Sequence, residues 1–81
     1  MPRVTLFGKP GCHLCDHALA VVEEVGARRG FELVQVDITL DPRLHARYGE
    51  RIPVISVDGE ELFEYHLDAE ALEGALDRVS S

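Results

Sequence analysis

The chain has 81 residues, 46% hydrophobic and 28% charged, enough for one domain (residues 1–81) around a single core and too few for a second. Fifteen acidic residues against eight basic ones set the formal charge at −7, and with no basic stripe to reverse it nucleic acid and anionic membrane surfaces are not expected as partners. Only Met1-Pro2-Arg3 precedes the first apolar run, and no segment reaches the length of a signal-peptide core or a membrane span, so a cytoplasmic location is expected. In that reducing compartment two cysteines point to catalysis or metal binding rather than to a structural disulfide.

Val4-Thr5-Leu6-Phe7 is short, apolar and closed by Gly8 and Pro10, which reads as a buried strand. The loop Gly8-Lys9-Pro10-Gly11 delivers Cys12. From Leu14 onward Ala18, Val21, Val22 and Val25 recur on one helical face, and Gly30 supplies a stop. Phe31 to Ile38 is a second strand, and a strand, helix, strand run of this length implies a parallel pair with a right-handed crossover. Asp41-Pro42 followed by Leu44, Tyr48 and Gly49 gives a short capped helix. Pro53 opens a third strand, Val54 to Val57, and Asp58-Gly59 is a two-residue hairpin turn into Glu60 to Tyr65. Asp68 caps a last helix with a buried stripe at Leu72, Ala75, Leu76 and Val79, and Leu67 is placed to staple against Leu72. Gly74 inside that helix costs about 1 kcal/mol relative to alanine. The order is βαβαββα.

Cys12-His13-Leu14-Cys15 decides the chemistry. Three residues of helix turn the side chain by about 300°, so the sulfurs lie one turn apart on nearly the same face, within disulfide range. Cys15 is in step with Ala18 and Val22 on the buried stripe, whereas Cys12 sits at the exposed helix end. That asymmetry assigns attack to Cys12 and resolution to Cys15. The unpaired N–H groups and partial positive charge of the helix N-terminus are expected to favour the Cys12 thiolate, with Lys9 and a protonated His13 acting in the same direction and Asp16 against it. A metal carrier is the rival, because Cys12, His13, Cys15 and His17 fall within six residues. Helix geometry opposes it: His17 is about 200° around the axis from Cys15. No metal is expected. His45 and His66 read as solvated or capping residues, Tyr48 and Phe63 as core, and Glu60-Glu61 as a solvated strand edge. A proline at a strand start is ordinary and by itself reads as trans.

With the cysteine pair, the element order and the Ile52-Pro53 strand start in view, the chain resembles the glutaredoxins from about Arg3 to Val79, and most of all the bacterial glutaredoxin-like proteins with a C-x-L-C site. The resemblance implies an α/β, thioredoxin-like fold in which a four-stranded mixed sheet is flanked by three helices. It implies Cys12 as nucleophile, Cys15 as resolving thiol, Lys9 as the lysine ahead of the motif, and a cis Pro53 that faces the site, with the Ile52 backbone presented to a bound cysteinyl group. Two departures stand out. His13-Leu14 replaces the Pro-Tyr of classical glutaredoxins, and Tyr65-His66 stands where they carry Gly-Gly beside the glutathione carboxylate, although Asp68 could match the acidic residue at the last helix start. Lys9, His13, Arg51, Ile52 and Pro53 are the expected substrate-binding residues, with Arg51 and Lys9 attracting the carboxylates of glutathione. The expected protein is a monomeric thiol-disulfide oxidoreductase with no built-in cofactor. It would act on a disulfide-bearing protein or small molecule and draw electrons from glutathione, as co-substrate, or from a reductase. A thioredoxin-like binding module or metal carrier without turnover is the alternative.

Overall fold

The structure, a computed structural model, describes residues 1–80. Strands β1 (Arg3–Gly8), β2 (Glu32–Asp37), β3 (Val54–Val57) and β4 (Glu60–Glu64) form one sheet in the order β2-β1-β3-β4, and helices α1 (His13–Arg28), α2 (Pro42–Tyr48) and α3 (Ala69–Ser80) flank it. β1 and β2 run parallel, as the intervening helix requires, while β1·β3 and β3·β4 are antiparallel. A 3₁₀ turn (Ile38–Leu40) leads from β2 to α2, and the Asp41 carboxylate caps α2 by accepting the Arg43 N–H at 2.9 Å.

Strand alternation divides the apolar residues into two clusters. Val4, Leu6, Ile55 and Val57 point to one face and meet Ala18, Val22 and Val25 of α1 and Leu72, Ala75 and Leu76 of α3, with Leu67 packed in the same cluster. Phe7 and Val54 point to the other face, where Tyr48 and Leu44 of α2 join Ile38, Ile52 and Cys15. Full burial of one such side chain stabilises the fold by about 1.5–3 kcal/mol, so these two clusters hold the sheet between its helices. The α3 stripe ends at Leu76, since Val79 in the last turn is 40% exposed. Asp68 caps α3 as expected, its carboxylate accepting the Glu70 N–H at 2.8 Å.

The Asp58-Gly59 turn has positive φ at both residues, 51° and 87°, the left-handed pair that a two-residue hairpin with the natural strand twist demands. Between Ile55 and Ser56 the β3·β4 register slips: Ile55 faces Phe63 but Ser56 faces Glu61, so Leu62 is the extra residue. The bulge brings Glu61 and Glu64, opposite Ser56 and Val54, to the same face of the sheet as Tyr48. The strand registers bring Gly8, Asp37, Val54 and Glu64 to one end of the sheet.

Candidate active site

At that shared end β1 stops at Gly8, the chain turns through Gly11 at φ 77°, and α1 begins. Cys12 is the N-cap of α1, with extended backbone (φ −98°, ψ 110°), and its Sγ accepts the Cys15 N–H at 3.2 Å. A sulfur therefore occupies the position that a serine or aspartate oxygen takes at ordinary helix starts, within reach of the unpaired N–H groups. Cys12 is half-buried, Cys15 only 5% exposed, and both are free thiols. Burial pushes the Cys15 thiol up to about 11, helped by its hydrogen bond and proximity to Cys12 and by the charge of Asp16, while a backbone hydrogen bond at Lys9 draws it back.

Gly8 is what gives Cys15 its space. A Cβ built on Gly8 would lie 3.0 Å from Cys15 Sγ and 3.2 Å from its Cβ, closer than side chains ordinarily approach. Beside them, a cleft of about 310 Å³ is lined by Leu6, Gly8, Lys9, Cys15, Asp16 and Asp37 among others. On the other side, Ile52 and Val54 pack in the same cluster as Cys15, with Cys12 against it. The Ile52-Pro53 peptide bond is cis. The residue pattern alone favours trans, whereas the resemblance implies the isomer found. Lys9 and His13 are exposed, whereas Ile52 and Pro53 are buried.

A family model described as Glutaredoxin-like domain (DUF836) matches residues 3–77. The chain belongs to that family. An uncharacterized Mycobacterium tuberculosis protein, Rv0508, is 29% identical over 82 residues, which cover 95% of this chain and 84% of its own. The X-ray structure of protein XcR50 from X. campestris shares 36% identity with a TM-score of 0.77, covering 93% of this chain and 96% of that one. Chloroplastic thioredoxin z superposes with a TM-score of 0.81 at 16% identity, over 99% of this chain and 79% of its own, and shows the fold to be thioredoxin-like. Within that fold the glutaredoxin-like chain carries two cysteines at C-x-x-C spacing, the mark of a thiol redox module.

Around the Ile52-Pro53 turn the glutaredoxin-like site departs from the expectation drawn for its charged residues. Glu61 is not a solvated edge residue. Brought to the α2 face by the bulge, its carboxylate accepts the Tyr48 hydroxyl at 2.5 Å, Arg47 at 3.3 Å and Arg51 at 3.2 Å. Its carboxyl is held below the usual carboxylate range by the Tyr48 hydroxyl first, then by the two guanidiniums, while burial raises the Tyr48 phenol. Tyr48 is core as expected, its ring stacked on Phe7 with centroids 4.5 Å apart and its faces near both guanidiniums, at 5.3 and 5.5 Å. Arg51 also donates twice to Glu64, from Nε at 2.9 Å and from Nη2 at 2.5 Å, both to the same oxygen, Oε1. Tyr65, just past β4, takes φ 64°, the left-handed conformation that glycine adopts freely. Its N–H reaches the Pro53 carbonyl at 2.9 Å and its hydroxyl the Glu50 carbonyl at 3.0 Å. Among the described residues no three His, Cys, Asp or Glu side chains converge as metal ligands, and His13 and His17 are both exposed. No helix among them is long and apolar enough to cross a membrane.

Proposed function

We propose that this protein is a thiol-disulfide oxidoreductase that reduces protein or glutathione mixed disulfides through Cys12 and Cys15. The observation that carries the reading is the asymmetry of the pair: a half-buried sulfur at the helix N-cap, hydrogen-bonded to the Cys15 N–H, with a buried thiol one turn behind it. The Cys12 thiolate attacks one sulfur of a substrate disulfide, an S–S bond to Cys12 forms, and the first thiolate leaves and takes a proton from water. Cys15 then releases its proton and attacks Cys12 Sγ. The mixed disulfide breaks, the second thiolate leaves, and a Cys12–Cys15 disulfide remains. The protein dithiol has lost two electrons and the substrate has gained two, which a thiol donor, glutathione or a reductase, later restores.

The second step has its own electrostatics. Once Cys12 is in a mixed disulfide it carries no charge, so two of the causes that hold the Cys15 thiol up, its hydrogen bond to the Cys12 thiolate and its repulsion by Cys12, are gone, while burial and the charge of Asp16 remain. Lys9 and His13 flank the entry, and the Ile52 backbone beside the cis Pro53 is the surface for the chain that bears the substrate cysteine. The dithiol chemistry calls for no resident metal or organic cofactor, and a reducing, cytoplasmic setting suits a pair that must cycle. The test is Cys15→Ser incubated with glutathione disulfide: the expected result is one glutathione on Cys12, stable to quenching, alongside turnover by the wild type. Absence of an adduct on Cys12, or an adduct on a wild type that never resolves, refutes the mechanism.

A further inference from the structure

Arg51 immediately precedes Ile52-Pro53, and the obvious use for a guanidinium there is to bind a substrate carboxylate. The geometry gives it another. Its Nε and Nη2 are both taken by Glu64, Nη2 also by Glu61, its face lies 5.5 Å from the Tyr48 ring centroid, and its own N–H donates to the Tyr48 carbonyl at 2.8 Å. The turn from Gly49 to Pro53 has no strand or helix of its own. Further ties run to Tyr65, the residue just past β4, which holds the Glu50 carbonyl by its hydroxyl and the Pro53 carbonyl by its N–H. Arg51, Glu64 and Tyr65 thus grip the turn on both sides of Ile52.

We infer that Arg51 is a positioning residue, clamped by Glu61 and Glu64 so that the turn presents the Ile52 backbone beside Cys12, and that it does not bind substrate anions. The inference rests on the oxidoreductase reading only for its effect on substrate. A planar guanidinium whose Nε and Nη2 converge on one carboxylate oxygen while Nη2 also reaches a second carboxylate is fixed in direction, and a turn without strand or helix hydrogen bonds of its own relies on such polar ties, beside the burial of Ile52 and Pro53, to hold its backbone. The consequence is a prediction whose sign separates the two roles. If Arg51 were an anion ligand, Glu64 would be its competitor, and neutralising Glu64 would improve binding of an anionic disulfide. If Arg51 positions the turn, neutralising Glu64 loosens it and weakens every disulfide, charged or not.

The experiment compares the full chain as wild type, Glu64→Gln, Arg51→Lys and Tyr65→Phe. Amide exchange at Arg51 and Tyr65, which donate to Tyr48 and Pro53, is read without any substrate. Single-turnover oxidation of the reduced protein is then followed against concentration of neutral 2-hydroxyethyl disulfide and of anionic glutathione disulfide. Expected are amide exchange about five-fold faster or more in Glu64→Gln and Arg51→Lys. The half-saturating concentration should rise about three- to ten-fold for both disulfides, with the limiting rate and the iodoacetamide alkylation rate of Cys12 within about two-fold of wild type. A general loss of structure would instead depress the limiting rate and alter alkylation. Tyr65→Phe, which removes one hydroxyl from an exposed side chain and keeps the fold, should give the same pattern at smaller amplitude. The inference is overturned if Glu64→Gln lowers the half-saturating concentration for glutathione disulfide alone, or if exchange at Arg51 and Tyr65 does not change. Should the reduced wild type react with neither disulfide, the oxidoreductase reading fails, and amide exchange still decides whether the clamp exists.

Discussion

Raising the pH should expose Cys15 as a thiol held back by its surroundings. With its ionisation pushed from the ordinary value of 9.0 up to about 11, its thiolate population at pH 7 is on the order of a hundred times smaller than that of a free cysteine. A more basic thiolate is intrinsically a better nucleophile by a factor on the order of ten over this range, which offsets part of the loss. Ionisation alone then slows alkylation about ten-fold, and an exposure of 5% slows it further. The assay is limiting iodoacetamide with mass-spectrometric mapping of each cysteine, in native protein and in urea-unfolded chain, from pH 7 to 11. In the native protein the Cys15 rate should rise about ten-fold per pH step of one and continue to rise to about 11. The same shift has a stability consequence. The folded protein keeps the Cys15 proton where the unfolded chain releases it, so this contribution is complete below pH 9.0 and is lost as pH rises toward about 11, amounting to about 2–3 kcal/mol at most. Cys15→Ala should flatten that alkaline decline. A Cys15 rate that levels off near pH 9, or that equals the rate in the unfolded chain, refutes the reasoning.

Gly8→Ala places a methyl 3.0 Å from Cys15 Sγ, so it should destabilise the fold by about 1–3 kcal/mol and, because the sulfur must shift, slow resolution more than attack. Urea unfolding checks the first effect, and mixed disulfide accumulating on Cys12 during turnover checks the second. Leu76→Ala, at 2% exposure, should cost about 2–5 kcal/mol by urea unfolding, whereas Val79→Ala, at 40%, should stay within about 0.5–1 kcal/mol; equal costs would mean that the α3 stripe extends to Val79 after all.

What could be read from the sequence was what local chemistry dictates. Asp58-Gly59 demands a left-handed two-residue turn wherever it occurs, Asp41-Pro42 and Asp68 cap helices by their own side chains, and Cys12 and Cys15 are related by three residues of one helix. Each of these needs no more than a few neighbours to take effect, so the element order and the placement of the pair, Cys12 at the helix start and Cys15 on the buried stripe, were legible. The cis state of Ile52-Pro53 was not, because strand-start prolines of both isomers look alike in sequence and only the resemblance distinguished them. Gly8 read as the end of a strand, and its proximity to Cys15 Sγ joins residues from two elements.

Glu61 shows the limit most clearly. In a regular strand Glu61 and Glu64 would point to opposite faces, and two adjacent acids at 60 and 61 read as a solvated edge. A single extra residue, Leu62, reverses one of them, and nothing in the pattern Glu60 to Glu64 announces it, since the bulge exists only in the pairing with β3. Once both carboxylates lie on the Tyr48 face, two arginines and a phenol that sequence leaves scattered over five residues of chain find one partner set, and the turn before the cis proline is tied to β4. The same bulge that hid Glu61 from the sequence is thus what allows the acidic strand to hold the turn before Pro53. An insertion or deletion that restored regular pairing at Leu62 would turn one of the two carboxylates away from Arg51, and would also disturb the packing of Leu62 and Phe63 against the core.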